Sequence, residues 1–231
     1  MPHAPLLNLL RWQQRTLPLR QGERVLQFAP LSFDVSFQEI FTTLCEGGTL
    51  VLVDEALRLD PEALIDYLIA QRIERLFLPF VALQQLAVAA QSSGKVPDTL
   101  RDVITAGEQL QITDEIRDFF RRLPGVRLHN HYGPTETHVV TSKVLDGDPN
   151  DWAQLPTIGR EIDGVTVHLL DGAGNPVRDG DSGELYLSGA CVARGYLNAE
   201  ESLADRFSED PLAPGQRMYR SGDLGRRGDN G

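Results

Sequence analysis

Cysteine is nearly absent: Cys45 and Cys191 are the two in 231 residues, and no Cys-x-x-Cys joins them. That excludes a disulfide framework and a cysteine-based zinc site, and leaves two buried, reduced thiols as the expectation. Positive charge is short as well, since 22 Lys and Arg stand against 33 Asp and Glu, a formal net charge of −11. Binding a phosphate backbone takes clustered cations that displace counterions, so nucleic acid is not an expected partner. No apolar run reaches the roughly 18 residues of a membrane span, and the start Met1-Pro2-His3-Ala4-Pro5 lacks the basic-then-apolar order of a secretion signal. No membrane partner and a cytoplasmic location are expected. Repeats and low-complexity tracts are missing too. What remains is an ordinary globular composition, 41% hydrophobic, with apolar residues enough for one large domain or two small ones.

The order of local patterns sets the fold class. Short β-rich runs alternate with helical patterns: Arg24–Phe28 then Asp34–Cys45, Thr49–Val53 then Pro61–Gln71, Arg75–Leu78 then Val81–Gln91, Asp102–Thr105 then Asp114–Arg122, and finally Val126–His129. Such alternation predicts βαβ units, an α/β subdomain with a doubly wound, mostly parallel sheet over residues 1–150. Asp60 before Pro61 and Thr113 before Asp114 can cap helices, and Gly47-Gly48 can stop one. Phe33, Phe37, Ile40, Phe41 and Leu44 recur at helical spacing, which predicts an apolar stripe buried against the sheet. After Pro156 the pattern changes to short strands and turns, Val165–Leu170, Glu184–Ser188 and Tyr219-Arg220, which predicts a small antiparallel barrel or sheet over residues 151–231. The polar stretch Asp146–Asp151 is the expected connector.

Chemistry concentrates where the strand Val126–His129 runs out. There Asn130-His131-Tyr132-Gly133-Pro134-Thr135-Glu136-Thr137 supplies an aromatic face, a Gly-Pro turn, a hydroxyl and a carboxylate. In open parallel sheets ligands bind at the carboxyl ends of strands, so a nucleotide site and a plain structural turn are both open readings. Asp34 likewise reads two ways. It can be a helix cap, or a lone carboxylate beside apolar Phe33 and Val35 that pairs with an ammonium group. The histidines His129, His131 and His138 allow a metal reading, which lacks a further ligand and supporting residues.

Three more segments change the weight of these readings: Phe33-Asp34-Val35-Ser36, Gly183–Gly189 running into Val192-Ala193-Arg194-Gly195-Tyr196-Leu197, and Tyr219–Leu224. With Asn130–Thr137 they resemble the shared motifs of the adenylate-forming superfamily, in particular the amino-acid adenylation domains of nonribosomal peptide synthetases. The resemblance runs from about Leu6 to Asp229. It implies ATP and Mg²⁺ as cofactors, an amino-acid substrate, and carrier and condensation domains as partners, the carrier holding a phosphopantetheine thiol. By the same resemblance Tyr132 stacks on adenine, Asn130 bonds its amino edge, and Gly107 and Glu108 line that pocket through backbone groups. Thr135 holds the α-phosphate and Glu136 binds Mg²⁺, making these two the expected catalytic residues. Asp223 accepts from both ribose hydroxyls, and Asp34 recognises the substrate amine. The Val192–Leu197 segment is expected to be architectural, with Arg194 a packing residue.

Aligned through the motifs, the family's selectivity positions fall on Asp34, Val35, Gln38, Phe77, Ile104, Ala106, His131, Val139 and Val140. That set resembles the pattern for L-proline; if the alignment around Phe77 is one residue off, other small aliphatic amino acids stay open. The family's phosphate loop and its catalytic lysine have no counterpart here, so the expectation is a central fragment that is inactive alone. The alternatives are an acyl- or aryl-acid ligase of the same superfamily and a noncatalytic nucleotide-binding fragment.

Overall fold

A computed structural model describes residues 1–198 and 205–228. Asp229, where the resemblance ends, lies outside the described residues. The chain forms two compact units, neither of them a single stretch. The larger takes Gln13–His131 and Ser142–Ile158; the smaller takes Met1–Trp12, Tyr132–Thr141 and the described residues from Gly159 on. A division near residue 150 follows chain order, whereas these units do not. In the smaller one Leu9 and Trp12 bury themselves with Val139 and Ile162, residues far away in sequence. Both come from helix α1(His3–Thr16), an element the pattern reading did not assign.

In the larger unit the expected alternation is present: β1(Arg24–Gln27), α2(Val35–Cys45), β2(Thr49–Leu52), α3(Glu55–Arg58), α4(Pro61–Ala70), β3(Arg75–Leu78), α5(Phe80–Ser93), β4(Asp102–Thr105), α6(Asp114–Arg121), β5(Arg127–Tyr132) and β6(Thr141–Leu145). Sheet order is β2-β1-β3-β4-β5-β6, and the pairings among the first five strands are parallel. The caps have their expected chemistry: Asp60 accepts from the Glu62 and Ala63 N–H groups, and Thr113 accepts from Ile116 N–H. Leu76, Leu86, Val103, Ile116, Phe119 and Leu128 belong to the core on which the sheet and helices close.

Three expectations need correction. Strand β5 runs three residues past His129, Asn130 pairing with Thr105 and the Tyr132 carbonyl accepting from Val140 N–H, so the first part of the Asn130–Thr137 motif is strand and not loop. In α2 the apolar stripe faces outward: Phe33, Phe37, Phe41 and Leu44 are exposed, while Ser36, Gln38, Glu39, Thr42 and Thr43 are buried. Most of the buried polar groups have partners, Gln38 Oε1 being an exception, and this is what makes the inversion tolerable. Thr42 Oγ1 donates to the Gln38 carbonyl at 2.6 Å, Thr43 Oγ1 to the Glu39 carbonyl at 2.5 Å, and the Glu39 carboxylate accepts from the Phe28 and Ala29 N–H groups. Burial nevertheless pushes the Glu39 carboxyl up to about 7. Cys45, also expected inside, is exposed at the end of this helix, whereas Cys191 is buried and its thiol pushed up to about 12 by that burial.

The smaller unit holds β7(Arg160–Glu161) and an antiparallel sheet of β8(Val165–Leu170), β9(Ser182–Gly189), β10(Phe207–Glu209) and β11(Arg217–Arg226) in the order β10-β11-β9-β8. Of the barrel and sheet alternatives, the described residues form the sheet. Between Arg220 and Leu224 the β11–β9 register shifts, so Ser221-Gly222-Asp223 bulges from the ladder.

At the amino ends of β3, β4 and β5 lies a buried ion cluster. Arg75, 1% exposed, sits 3.1 Å from Glu23 and 3.5 Å from Asp102, and Asp102 also meets Arg127 at 2.8 Å and His129 at 2.9 Å. Burial raises the Asp102 carboxyl, but the hydrogen bonds from His129 and Arg127 and the Arg75 charge outweigh it and hold it at about 2, below its ordinary 3.8. A carboxyl depressed in the folded chain stabilises fully above its unfolded value; this contribution is lost as pH falls from about 3.8 toward about 2. Removing it leaves Arg75 buried without one of its counter-charges. Asp102→Ala should therefore destabilise the protein by about 3–5 kcal/mol in urea denaturation near neutral pH. A shift of under about 1 kcal/mol, the range of an exposed pair, would show the cluster to be dispensable.

Candidate functional site

In the smaller unit the chain from Tyr132 to Val140 turns back on itself. Val140 N–H donates to the Tyr132 carbonyl at 2.8 Å, and the Pro134 carbonyl accepts from Thr137 and His138 N–H, both at 2.9 Å. The fold-back requires glycine at 133, where a Cβ would stand 1.7 Å from the His138 carbonyl oxygen. His138 itself takes φ +58°, the left-handed region, and its Nδ1 accepts from Val139 N–H at 2.9 Å. Thr135, exposed, and Glu136, half-buried, occupy the outer bend.

Tyr132 and Asp223, 91 residues apart, are brought together: the phenol donates to Asp223 Oδ2 at 2.6 Å. Burial and then the Asp223 carboxylate push the Tyr132 hydroxyl above its usual range, so it remains a donor. The bulge in β11 presents Asp223. Gly222 has φ +86°, and Ser221 Oγ accepts from Asp223 N–H at 3.0 Å while donating to the Leu185 carbonyl. Glu136 is held at two points. Its carbonyl accepts from Ala193 N–H at 2.9 Å, and its Oε1 accepts from the Tyr196 hydroxyl. This unit thus carries an aromatic face, a hydroxyl and two carboxylates, each carboxylate with a tyrosine hydroxyl on one oxygen.

Residues matching the AMP-binding enzyme family run from 1 to 197, most of the chain. The chain belongs to that family. Three relatives align with nearly all of the chain. It is 39% identical to gramicidin S synthase 2 of Brevibacillus brevis over 98% of its own length, and 40% identical to tyrocidine synthase 2 of Brevibacillus parabrevis over 97%. Identity is 42% over 97% of the chain with the phosphinothricin tripeptide synthetase PhsB of Streptomyces viridochromogenes. It spans only 5%, 6% and 18% of those three proteins.

The larger unit holds most of the expected amino-acid positions. Val35 packs against a cluster that contains Phe77 and Ile104, and these two are paired across β3 and β4. Both are almost fully buried, with Leu17 and Val25 beside them. Asp34 occupies the cap position of α2 in helical backbone geometry and makes no side-chain capping bond. Gln38 Nε2 donates to Gln13 Oε1 at 2.6 Å. Gln13 was not legible as a site residue, because its only signal is this contact across 25 residues of chain. His131 is buried in β5, and Ala106 is half-buried just after β4. Val139 and Val140, in the smaller unit, pack into different clusters, the first with Leu9, Trp12 and Ile162, the second with Val167, Leu187 and Tyr219.

Of the expected adenine positions in the larger unit, Gly107 has φ +86° and Asn130 Nδ2 donates to the Thr157 carbonyl at 3.0 Å, which fixes its amide. Glu108 uses its side chain to accept from Val81 N–H at the start of α5. His129 faces Asp102, and among the described residues no group of three or more His, Cys, Asp or Glu could hold a metal by itself. Tyr196 was read as part of an architectural segment; its contact with Glu136 gives it a place beside the site. If the fold-back is as tight as the geometry requires, Gly133→Ala should cost about 1–3 kcal/mol of stability, as overpacking does. An unchanged urea midpoint would show that the loop relaxes freely.

Proposed function

We propose that this chain carries the nucleotide and amino-acid binding groups of an amino-acid adenylating enzyme of nonribosomal peptide synthesis. Tyr132 beside Asp223 is the observation that carries the reading. The phenol hydroxyl lies 2.6 Å from Asp223 Oδ2, so an aromatic ring and a two-oxygen acceptor stand side by side; that suits a nucleoside, whose base stacks while its ribose diol donates to one carboxylate. In the reaction a carboxylate oxygen of the amino acid attacks the α-phosphorus of ATP, the bond to pyrophosphate breaks, and aminoacyl-AMP forms. Transfer to a phosphopantetheine thiol on a carrier domain would follow, with a condensation domain as the next partner.

Each unit supplies its own roles. In the smaller one Tyr132 stacks on adenine, Asp223 takes the ribose hydroxyls, Thr135 donates to the α-phosphate and Glu136 offers an oxygen ligand. Mg²⁺ fits this donor set. It keeps several waters and is commonly bound by one or two carboxylates together with substrate phosphates, so a single protein carboxylate suffices. When bound it neutralises charge on the phosphates. In the larger unit Asn130, Gly107 and Glu108 serve the adenine edge, and Asp34 accepts from the substrate ammonium.

L-proline is the proposed amino acid; Val35, Gln38, Phe77, Ile104, Ala106 and His131 are its proposed selectivity residues in the larger unit, and Val139 and Val140 those in the smaller one. The apolar packing of Val35, Phe77 and Ile104 favours a compact hydrocarbon ring, and Gln13 fixes the amide of Gln38 at its side. Asp34 is the one acidic member of the set, and the secondary ammonium of proline retains two N–H donors for it. A charged substrate side chain would be buried without a partner there.

Two measurements on the full-length protein test the reading. Asp223→Ala should weaken ATP by about 1.5–3 kcal/mol, the cost of a lost charged hydrogen bond, and leave amino-acid preference unaltered. An unchanged ATP KM in pyrophosphate exchange would remove the ribose role. Across twenty amino acids exchange should peak with L-proline, with valine weak and phenylalanine, glutamate and lysine inactive, and Asp34→Ala should abolish it. A preference for a charged or aromatic amino acid would overturn the pocket. Full proline exchange by Asp34→Ala would overturn the ammonium role and favour an acid ligase without an α-amine.

A further inference from the structure

The segment Val192–Leu197 lies outside every role assigned above, yet it is attached to the outer bend of the Tyr132–Val140 loop. Two bonds reach the same residue: Ala193 N–H to the Glu136 carbonyl at 2.9 Å, and the Tyr196 hydroxyl to Glu136 Oε1. The first fixes the backbone position of Glu136 and the second its side chain. Tyr196 is itself fixed. Its ring meets Phe207 edge-on with centroids 5.3 Å apart, Phe207 lies 4.9 Å from the Tyr219 ring, and the hydroxyls of Tyr196 and Tyr219 are 3.3 Å apart. Tyr219 is almost fully buried, so the hydroxyl that reaches Glu136 is anchored in the core of the smaller unit although Tyr196 is itself partly exposed.

From this geometry we infer that Tyr196 is a positioning residue for the cation-binding carboxylate, its hydroxyl holding Oε1 of Glu136 so that Oε2 is the oxygen offered to a divalent metal. The inference rests on the proposed role of Glu136. A glutamate side chain has three rotatable bonds, and one held through its other oxygen meets the narrow octahedral demand of Mg²⁺ without first being ordered. The phenol is suited to this work, since it donates to a carboxylate without adding a charge that would compete with the cation.

Tyr196→Phe tests it, because the ring and its Phe207 contact stay and only the hydroxyl goes. The full-length protein is titrated with Mn²⁺, followed by the paramagnetic signal of free metal, in saturating non-hydrolysable ATP analogue. The apparent Mn²⁺ Kd should rise roughly tenfold, the lower end of what losing an outer-shell partner costs. In pyrophosphate exchange the half-saturating Mg²⁺ should rise by the same factor while the rate at saturating Mg²⁺ stays within about twofold. Glu136→Gln should raise the Mn²⁺ Kd by itself, and the Tyr196→Phe, Glu136→Gln double variant should be no weaker than Glu136→Gln, since the hydroxyl acts through the carboxylate. A Tyr196→Phe variant with unaltered metal affinity, with a lowered melting temperature as its sole effect, or with an effect that multiplies with Glu136→Gln would overturn the positioning role. If Glu136→Gln leaves the Mn²⁺ Kd unchanged, the failure lies in the assignment of Glu136, and the inference falls with it.

Discussion

What the Tyr132–Val140 loop can offer depends on one steric constraint, the approach of Gly133 to the His138 carbonyl. Without a Cβ at 133 the chain passes close enough for Val140 N–H to reach the Tyr132 carbonyl, so the two ends of the loop are bonded as neighbours. Its interior N–H groups at 137 and 138 are satisfied by a single carbonyl, that of Pro134. The backbone therefore needs nothing from Thr135 and Glu136, whose side chains stay available at the bend. The left-handed conformation of His138 is the cost, about 1–3 kcal/mol for a non-glycine residue. Its own imidazole offsets part of that by accepting from Val139 N–H.

The larger unit depends on a different constraint. Asp102 joins β4 to Arg75 on β3 and to Arg127 and His129 on β5, all near the amino ends of their strands. Register between parallel strands is otherwise carried by evenly spaced backbone bonds that allow no preference for one slip over another. A buried carboxylate with fixed cationic partners supplies that preference, because a shift by one residue would turn these side chains to the other face. Fixing β3, β4 and β5 at one end fixes where Phe77, Ile104 and Asn130 emerge at the other.

How far the sequence could be read follows from which signals are local. Strand bounds at Arg75–Leu78, Asp102–Thr105 and Val165–Leu170 and the caps Asp60 and Thr113 are as expected, since period, turn residues and capping chemistry are written within a few residues. The α2 stripe failed because helical periodicity identifies a face without saying which way it points. Glu39, Thr42 and Thr43 could be buried once their polar atoms had bonded to nearby backbone carbonyls and N–H groups, and that depends on tertiary placement. The overrun of β5 came from its pairing with β4, and the packing of α1 residues with Val139 and Ile162 from contacts spanning more than half the chain. Of the candidate site, the motif residues were visible as a string. That Asp223 meets Tyr132, Tyr196 meets Glu136 and Gln38 meets Gln13 was not, since each is a bond between segments that no local pattern links.

The two tyrosine contacts bear on how selectivity for a nucleotide can arise. Asp223 Oδ2 already accepts from Tyr132, so a ribose hydroxyl arriving there would meet a carboxylate anchored through one oxygen, with acceptor capacity left. Hydrogen bonds to a charged group are worth about 1.5–3 kcal/mol each, too little to account for binding a nucleotide by themselves. Their value is in geometry, because an anchored aspartate does not spend the roughly 0.5–1.5 kcal/mol that ordering a free side chain takes. On the proposed function, discrimination between ATP and other triphosphates would then fall to contacts that have no competitor in the free chain. On the proposed roles those are stacking on the face of Tyr132 and the acceptor end of the Asn130 amide, whose orientation the Thr157 carbonyl has already set. An amide held this way presents an acceptor to an exocyclic amino group, and at the same edge a base with a carbonyl would face it oxygen to oxygen.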